Sequence, residues 1–248
     1  QEASQLLSKT DLWSGLQDLE SPSAQLDRLG RQSVLDLTEW SLLRRWLRAI
    51  DAFSQAVLPP GLERVSALVA ALPSVAQTLQ QLDRILTPEG ELSENASPEL
   101  SRIGAELRGL KREISGRMET LAREYTQKGV LQGNYTDLRD GRFVLPVKLS
   151  HHQDVPGLHH EASASKQTVF IDPKEVTELN NRLRQRQNDW LQEVHRILSA
   201  LSKDLAPQSR AWAAAVELLI YWDAVQARAR VALHYQGLPI RCGDHLDL

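Results

Sequence analysis

The sequence predicts a mainly α fold, in which a helical core bundle and a pair of long antiparallel helices carry a small antiparallel sheet of three or four strands. Three observations lead there. Aromatic residues make up only 5% of the chain while Leu, Ala, Gln, Glu and Arg recur, a composition suited to long packed helices. Two long stretches repeat apolar residues every three or four positions, the period of one helix face. Between them lies "NYTDLRDGRFVLPVKLSHHQDVPGLHHEASASKQTVFIDP", Asn134 to Pro173, where β-favoured runs alternate with turn formers.

The helices follow in order. Ser21-Pro22 opens a short one reaching about Arg31, because proline's missing N–H has no partner to lose at a helix start. Asp36 caps the next, with Glu39 three residues on, and Leu37, Trp40, Leu43, Leu47 and Ile50 mark its inner face until Pro59 and Pro60 stop it. A further helical stretch runs from about Leu62 to Leu86 with a break or kink at Pro73. Thr87 to Asn95 is a polar turn, after which Ser97 caps a helix with Pro98 at its first position. Leu100, Ile103, Leu107, Leu110, Ile114, Met118, Leu121 and Tyr125 form a narrow seam on a rod of roughly 43 Å.

After the β-rich segment, Asp172 is positioned to cap a second long helix, with Glu175 three residues beyond. Its seam is Val176, Leu179, Leu183, Trp190, Val194, Ile197, Leu201 and Leu205, interrupted by Arg186 and Gln187, and it ends before Pro207 after roughly 50 Å. Two such rods are most economically paired antiparallel, with the β-rich segment at their far end. A last helix turns Trp212, Ala215, Leu219, Trp222, Ala229 and Leu233 to one side as core and ends near Gly237 and Pro239. Within the β-rich segment, Asp140-Gly141 in "RDGR" is a hairpin turn between Tyr135 to Arg139 and Arg142 to Leu149. Pro146 marks an edge or a bulge in the second strand. Tyr135, Phe143 and Phe170 are placed in the sheet's own small core, and Gln127 to Gly133 reads equally as hinge or helix.

The net charge of −3 gives no general sign of a nucleic-acid binder, but it hides an uneven distribution. From Arg102 to Lys148 there are ten basic and six acidic residues, a local excess of four. Cys242 is the only cysteine, which excludes an intramolecular disulfide or a cysteine zinc site and fits a reducing cytoplasm. No apolar run approaches the roughly 18 residues of a membrane span. Gln1 at the start and "RCGDHLDL" at the end predict a piece of a longer chain.

Little points to catalysis. No Gly-x-x-x-x-Gly-Lys-Ser/Thr loop is present, so ATP hydrolysis is not expected of these residues. His151, His152, His159 and His160, with Asp154 and Glu161, are the one metal-like cluster, but neighbours in a strand point to opposite faces and each pair offers one imidazole to a site. Ser163 or Ser165 beside His160 lacks any third group to orient a nucleophile. No catalytic, metal or cofactor-binding residue is therefore assigned. Arg139, Arg142 and Lys148, on short strands at the end of a long arm, are the better candidates, as contacts to nucleic-acid phosphates.

At "ENASPELSRI", "LRDGRFVLPVK", "VPGLHHEASASKQTVFIDP" and "VTELNNRLR" the chain resembles the second branch of the MutS family, MutS-II, which lacks the mismatch-reading domain. The resemblance is weak up to about Leu86 and strongest from Glu94 to Arg184. It implies a core, lever and clamp module: 1–95 helical core, 96–133 first lever helix, 134–172 clamp, 173–236 second lever and return helix, and 237–248 the start of an ATPase domain. It further implies a homodimeric clamp on DNA, driven by ATP and Mg²⁺ bound beyond these residues, sometimes with a terminal nuclease domain, and acting to suppress recombination through branched DNA. Rescue of collided ribosomes is the alternative the family suggests, and a helical protein-binding scaffold is the plainest one. Two residues depart from the family pattern: Lys166 stands where Gly follows Ser-Ala-Ser, adding a fourth candidate phosphate contact, and His159 replaces an aliphatic residue.

Overall fold

The structure, a computed structural model, describes residues 19–56, 60, 61, 63–162 and 167–235. It is mainly α with one small antiparallel sheet, and it divides into two compact units. One comprises the residues up to Ser93 and those from Leu198 onward, the other Glu94–Ile197. The expected helix end at Gly237 and Pro239 lies outside the described residues, as do Pro59 and Leu62.

The first unit contains α1 (Ser23–Gly30), α2 (Leu37–Ser54), α3 (Glu63–Ala70), α4 (Ala76–Ile85) and α7 (Ser209–His234). A reciprocal cap opens α2: the Glu39 N–H donates to the Asp36 carboxylate at 2.8 Å and the Asp36 N–H to Glu39 at 2.9 Å. From there Trp40, Leu43, Leu47 and Ile50 point inward and are almost fully buried, with α2 packed on α4 and α7. Each such side chain withdrawn from water contributes roughly 1.5–3 kcal/mol. Pro73 falls in the break between α3 and α4, as its sequence position predicts.

Polar ties fix this packing. The Leu35 N–H donates to Ser202 Oγ at 3.1 Å, and Thr78 Oγ1 donates to Gln208 Oε1 at 3.0 Å. Arg44 is buried within α2, where its guanidinium donates to the carbonyls of Thr87 and Pro88 at 2.8 and 3.1 Å and so satisfies acceptors in the turn after α4. The expected core face of α7 holds at Trp212, Ala215, Leu219 and Trp222 and then gives out. Gln226 is the last buried residue, and Leu233 is exposed.

In the second unit, α5 (Pro98–Gln127) and α6 (Lys174–Leu205, to Ile197 in this unit) run antiparallel. Contacts between them show the direction, because early residues of α5 meet late residues of α6. Ser97 meets Glu193 at 2.6 Å, Glu106 meets Arg186 at 3.5 Å, and Arg117 reaches the Glu175 carbonyl at 3.4 Å. Ser97 is a cap with two tasks, accepting from the Leu100 N–H at 3.0 Å while donating to Glu193.

A glycine stop resolves the stretch after α5. Gly129 has φ +71°, the Val130 N–H returns to the Tyr125 carbonyl and the Gly129 N–H to that of Thr126, the paired bonds of a Schellman ending. Val130 to Gln132 is then neither hinge nor helix but an extended run laced to a strand edge, with Lys148 N–H donating to Val130 O and Gln132 N–H to Pro146 O.

The sheet has the order β1-β2-β4-β3, antiparallel throughout, with β1 Asp137–Arg139, β2 Arg142–Lys148, β3 Gly157–Ala162 and β4 Thr168–Pro173. Asp140 and Gly141 both have positive φ, 48° and 75°, and close the β1–β2 hairpin with Arg139 opposite Arg142. Pro146 is neither at a free edge nor in a bulge. Its carbonyl faces Gln132, and its nitrogen faces the same way, so the missing donor costs nothing in the pairing with β4. Leu145, Val147, Val169 and Ile171 form one buried cluster with Leu110 to Tyr125 of α5 and Val176, Leu179 and Leu183 of α6. The sheet therefore lies along the helix pair rather than only beyond its end, and the hairpin turn reaches back to Gln187, 3.7 Å from a Cβ built on Gly141.

Candidate nucleic-acid interface

Strand alternation assigns the sheet's faces. Phe143, Leu145 and Val147 turn toward the helices, so Arg142, Val144, Pro146 and Lys148 belong to the opposite, outer face. That face is itself buried in mid-strand at Val144, Pro146 and Phe170, and the register sets Arg139 opposite Arg142 there. Three of the four expected phosphate contacts thus share one face. Lys166, the fourth, lies outside the described residues, as do Ser163 and Ser165.

Their environments differ. The Arg139 guanidinium lies 4.1 Å from the ring centre of Phe170, bridges to Asp137 at 2.8 Å, and has a half-exposed side chain. Lys148 donates one N–H to the Gly129 carbonyl at 2.7 Å, which leaves two donors on an exposed ammonium. Phe170 is therefore buried beneath Arg139 on the outer face, Phe143 packs on the helical core, and Tyr135, expected in that core, is 51% exposed.

Arg142 corrects the sequence reading. Its side chain is only 13% exposed and donates to Asp172 at 2.7 Å and to Asn181 at 2.5 Å, so both ends of the guanidinium fork are committed inside the fold. Asp172, expected as a helix cap, is instead a fully buried carboxylate accepting from Arg142, Asn180 and Thr177.

Asn180 explains why this knot exists. Strand β4 ends at Pro173, the residue whose N–H would next have paired with the Phe143 carbonyl. Proline has none. The Asn180 carboxamide fills the gap, donating to Phe143 O at 3.0 Å, accepting from Phe143 N–H at 3.1 Å and donating to Asp172 at 2.9 Å. "RDGRF" meets "FIDP" and "ELNN" here, more than 25 residues further along the chain. Asn180 was missed as a key residue because only the strand register shows that a peptide partner is lacking.

The basic excess from Arg102 to Lys148 is largely spent internally. Arg102, Arg108, Arg117, Lys128, Arg139 and Arg142 each pair with a carboxylate. The histidines do not converge on a metal centre. His151 meets Asp154 at 2.8 Å, His152 meets the Leu149 carbonyl, and the rings of His152 and His159 stack edge to face. His160 lies 3.9 Å from Asp140, and no three metal-type side chains cluster among the described residues. No described helix is long and apolar enough to cross a membrane.

The fold defines a helical arm bearing a small sheet, with Arg139 and Lys148 as cations that keep part of their side chains in reach of solvent. Curated relatives share the chain over most of its length. A protein named Endonuclease MutS2 from Thermotoga neapolitana is 30% identical over 236 residues, 94% of this chain and 30% of the relative. Those of the same name from Pelotomaculum thermopropionicum and Lacticaseibacillus paracasei are 34% and 31% identical over 84% and 86% of this chain. The chain belongs to the MutS-II family, and it spans less than a third of the length of these relatives. No protein-family model matches it.

Proposed function

We propose that this chain is the core, lever and clamp module of a MutS-II protein, and that Arg139 and Lys148 of its sheet are where it grips the backbone of duplex or branched DNA. The observation that carries the reading is Arg139, held over Phe170 with its side chain half exposed, together with Lys148, which has donors to spare at the other end of β2. A cation propped on an aromatic ring reaches a phosphate with little ordering cost. Such contacts place a duplex without reading its sequence. Arg142 acts at one remove, by fixing the strand that presents the other two.

In this reading α5 and α6 are the levers, the longer protein is a cytoplasmic homodimer, and ATP with Mg²⁺ acts outside these residues. Suppression of recombination through branched DNA is the corresponding biological role. The test is binding of duplex and four-way junction DNA at several salt concentrations. Arg139→Glu with Lys148→Glu lowers affinity and flattens the salt slope by roughly two phosphate contacts. Unchanged affinity and slope refute it, and ribosome binding that survives a large excess of DNA would transfer these contacts to ribosomal RNA.

A further inference from the structure

A groove of about 490 Å³ runs between the two long helices of the second unit. From α5 it is lined by Gly104, Leu107, Arg108 and Lys111, and from α6 by Arg184, Gln187, Asn188 and Leu191. Each set is a stripe at i, i+3, i+4 and i+7, so two helical ridges border a trough roughly 10 Å long, about two turns. Trp190 lies in its floor, and Gly104 makes room for it, since a Cβ there would stand 3.2 Å from the indole. Leu191 is left 63% exposed.

The charges around the groove are sorted. Arg108 is bound to Glu94 at 2.7 and 2.5 Å, and Arg102, Arg117 and Arg186 on the same helices also have carboxylate partners. Lys111 and Arg184 have no ion pair among the described residues, and the groove brings them to one site.

We propose that this groove docks a short amphipathic helix of a partner protein, with two apolar side chains seated on Leu107, Trp190 and Leu191 and carboxylates set against Lys111 and Arg184. Apolar anchors on a helix entering a groove between helices are a common recognition mode. The apolar floor of Leu107, Trp190 and Leu191 offers a phosphate backbone nothing to pair with, whereas it suits apolar side chains. Two turns of groove also fall well short of the roughly 1,200 Å² that a stable dimer interface buries, which disfavours a second copy.

The probe is a fluorescein-labelled helical peptide with leucines four positions apart flanked by glutamates, titrated by anisotropy with the whole 248-residue protein. Saturable binding is expected. It weakens at least about tenfold with Leu191→Glu, with Lys111→Glu plus Arg184→Glu, and when lysines replace the peptide's glutamates. Gly104→Val, whose side chain crowds Trp190 and the Glu94 carboxylate, gives the same loss without changing Lys111, Arg184 or Leu191. Absence of saturable binding up to about 1 mM overturns the proposal, as does equal binding by Leu191→Glu. Displacement of the peptide by duplex DNA, with the rim variants weakening the duplex in parallel, would overturn it in favour of a nucleic-acid contact.

Discussion

Replacing Asn180 by alanine tests whether a side chain stands in for a missing strand partner. The carboxamide makes three hydrogen bonds, two to the Phe143 peptide and one to Asp172, and Asn180 is fully buried. A buried group left without its partner costs about 1–3 kcal/mol, so three broken bonds sum to on the order of 3–5 kcal/mol once water reaching the half-buried Phe143 is allowed for. The assay is urea unfolding together with hydrogen exchange at the Phe143 amide, which should lose protection before the amides of α5. Asn180→Asp should be worse than alanine, since it removes the donor to Phe143 O and sets a second carboxylate against Asp172. Asn181→Ala, at an exposed residue that accepts from Arg142, should cost about 1 kcal/mol or less. A loss below about 1 kcal/mol for Asn180→Ala, with Phe143 protection unchanged, would refute the substitution argument.

Further outcomes follow from the same structure. Arg142→Ala strands the buried Asp172 carboxylate and should destabilise by about 3–5 kcal/mol, yet leave the salt slope of DNA binding by the folded protein unchanged; a flattened slope would restore Arg142 as a phosphate contact. Arg196 above all, with Ser97 assisting against the opposing effect of burial, holds the Glu193 carboxyl down at about 2. Because that value is below the unfolded carboxylate range, the stabilisation is complete above about pH 4.3 and lost as pH falls toward 2. With Arg196 62% exposed it amounts to only on the order of 1–2 kcal/mol, and Glu193→Gln should flatten this limb of an acid titration followed at the Leu100 amide. Gly141→Ala places a side chain at φ +75° in the hairpin turn and should cost about 1–2 kcal/mol in thermal unfolding.

Local signals were legible wherever chemistry within a few residues decides the outcome. The Asp36–Glu39 reciprocal cap, the Ser97-Pro98 start, the Asp140-Gly141 turn and the break at Pro73 all stand where the sequence puts them. The α5 seam was nearly right, with Ala122 buried beside a half-buried Leu121. Charge was the poorer guide. A count of basic residues does not show that Arg142 is closed around Asp172, or that most of its neighbours are already paired. Arg44 misleads in the same way, being polar in pattern but buried by the carbonyls of a turn more than forty residues away.

The sequence by itself determined the mainly α class, the two long helices, the small sheet between them and the hairpin that starts it, because period, caps and turn residues act over one or two turns of chain. Only the tertiary structure decided which strands pair, that Pro146 is harmless among them, and that Arg142 is enclosed while the Arg139 side chain stays half exposed. Those outcomes depend on strand register and on partners 19 to 39 residues apart, such as Lys148 with Gly129 and Arg142 with Asn181. Backbone groups that lose a neighbour at Pro173 must find another, and Asn180 supplies it from the next helix.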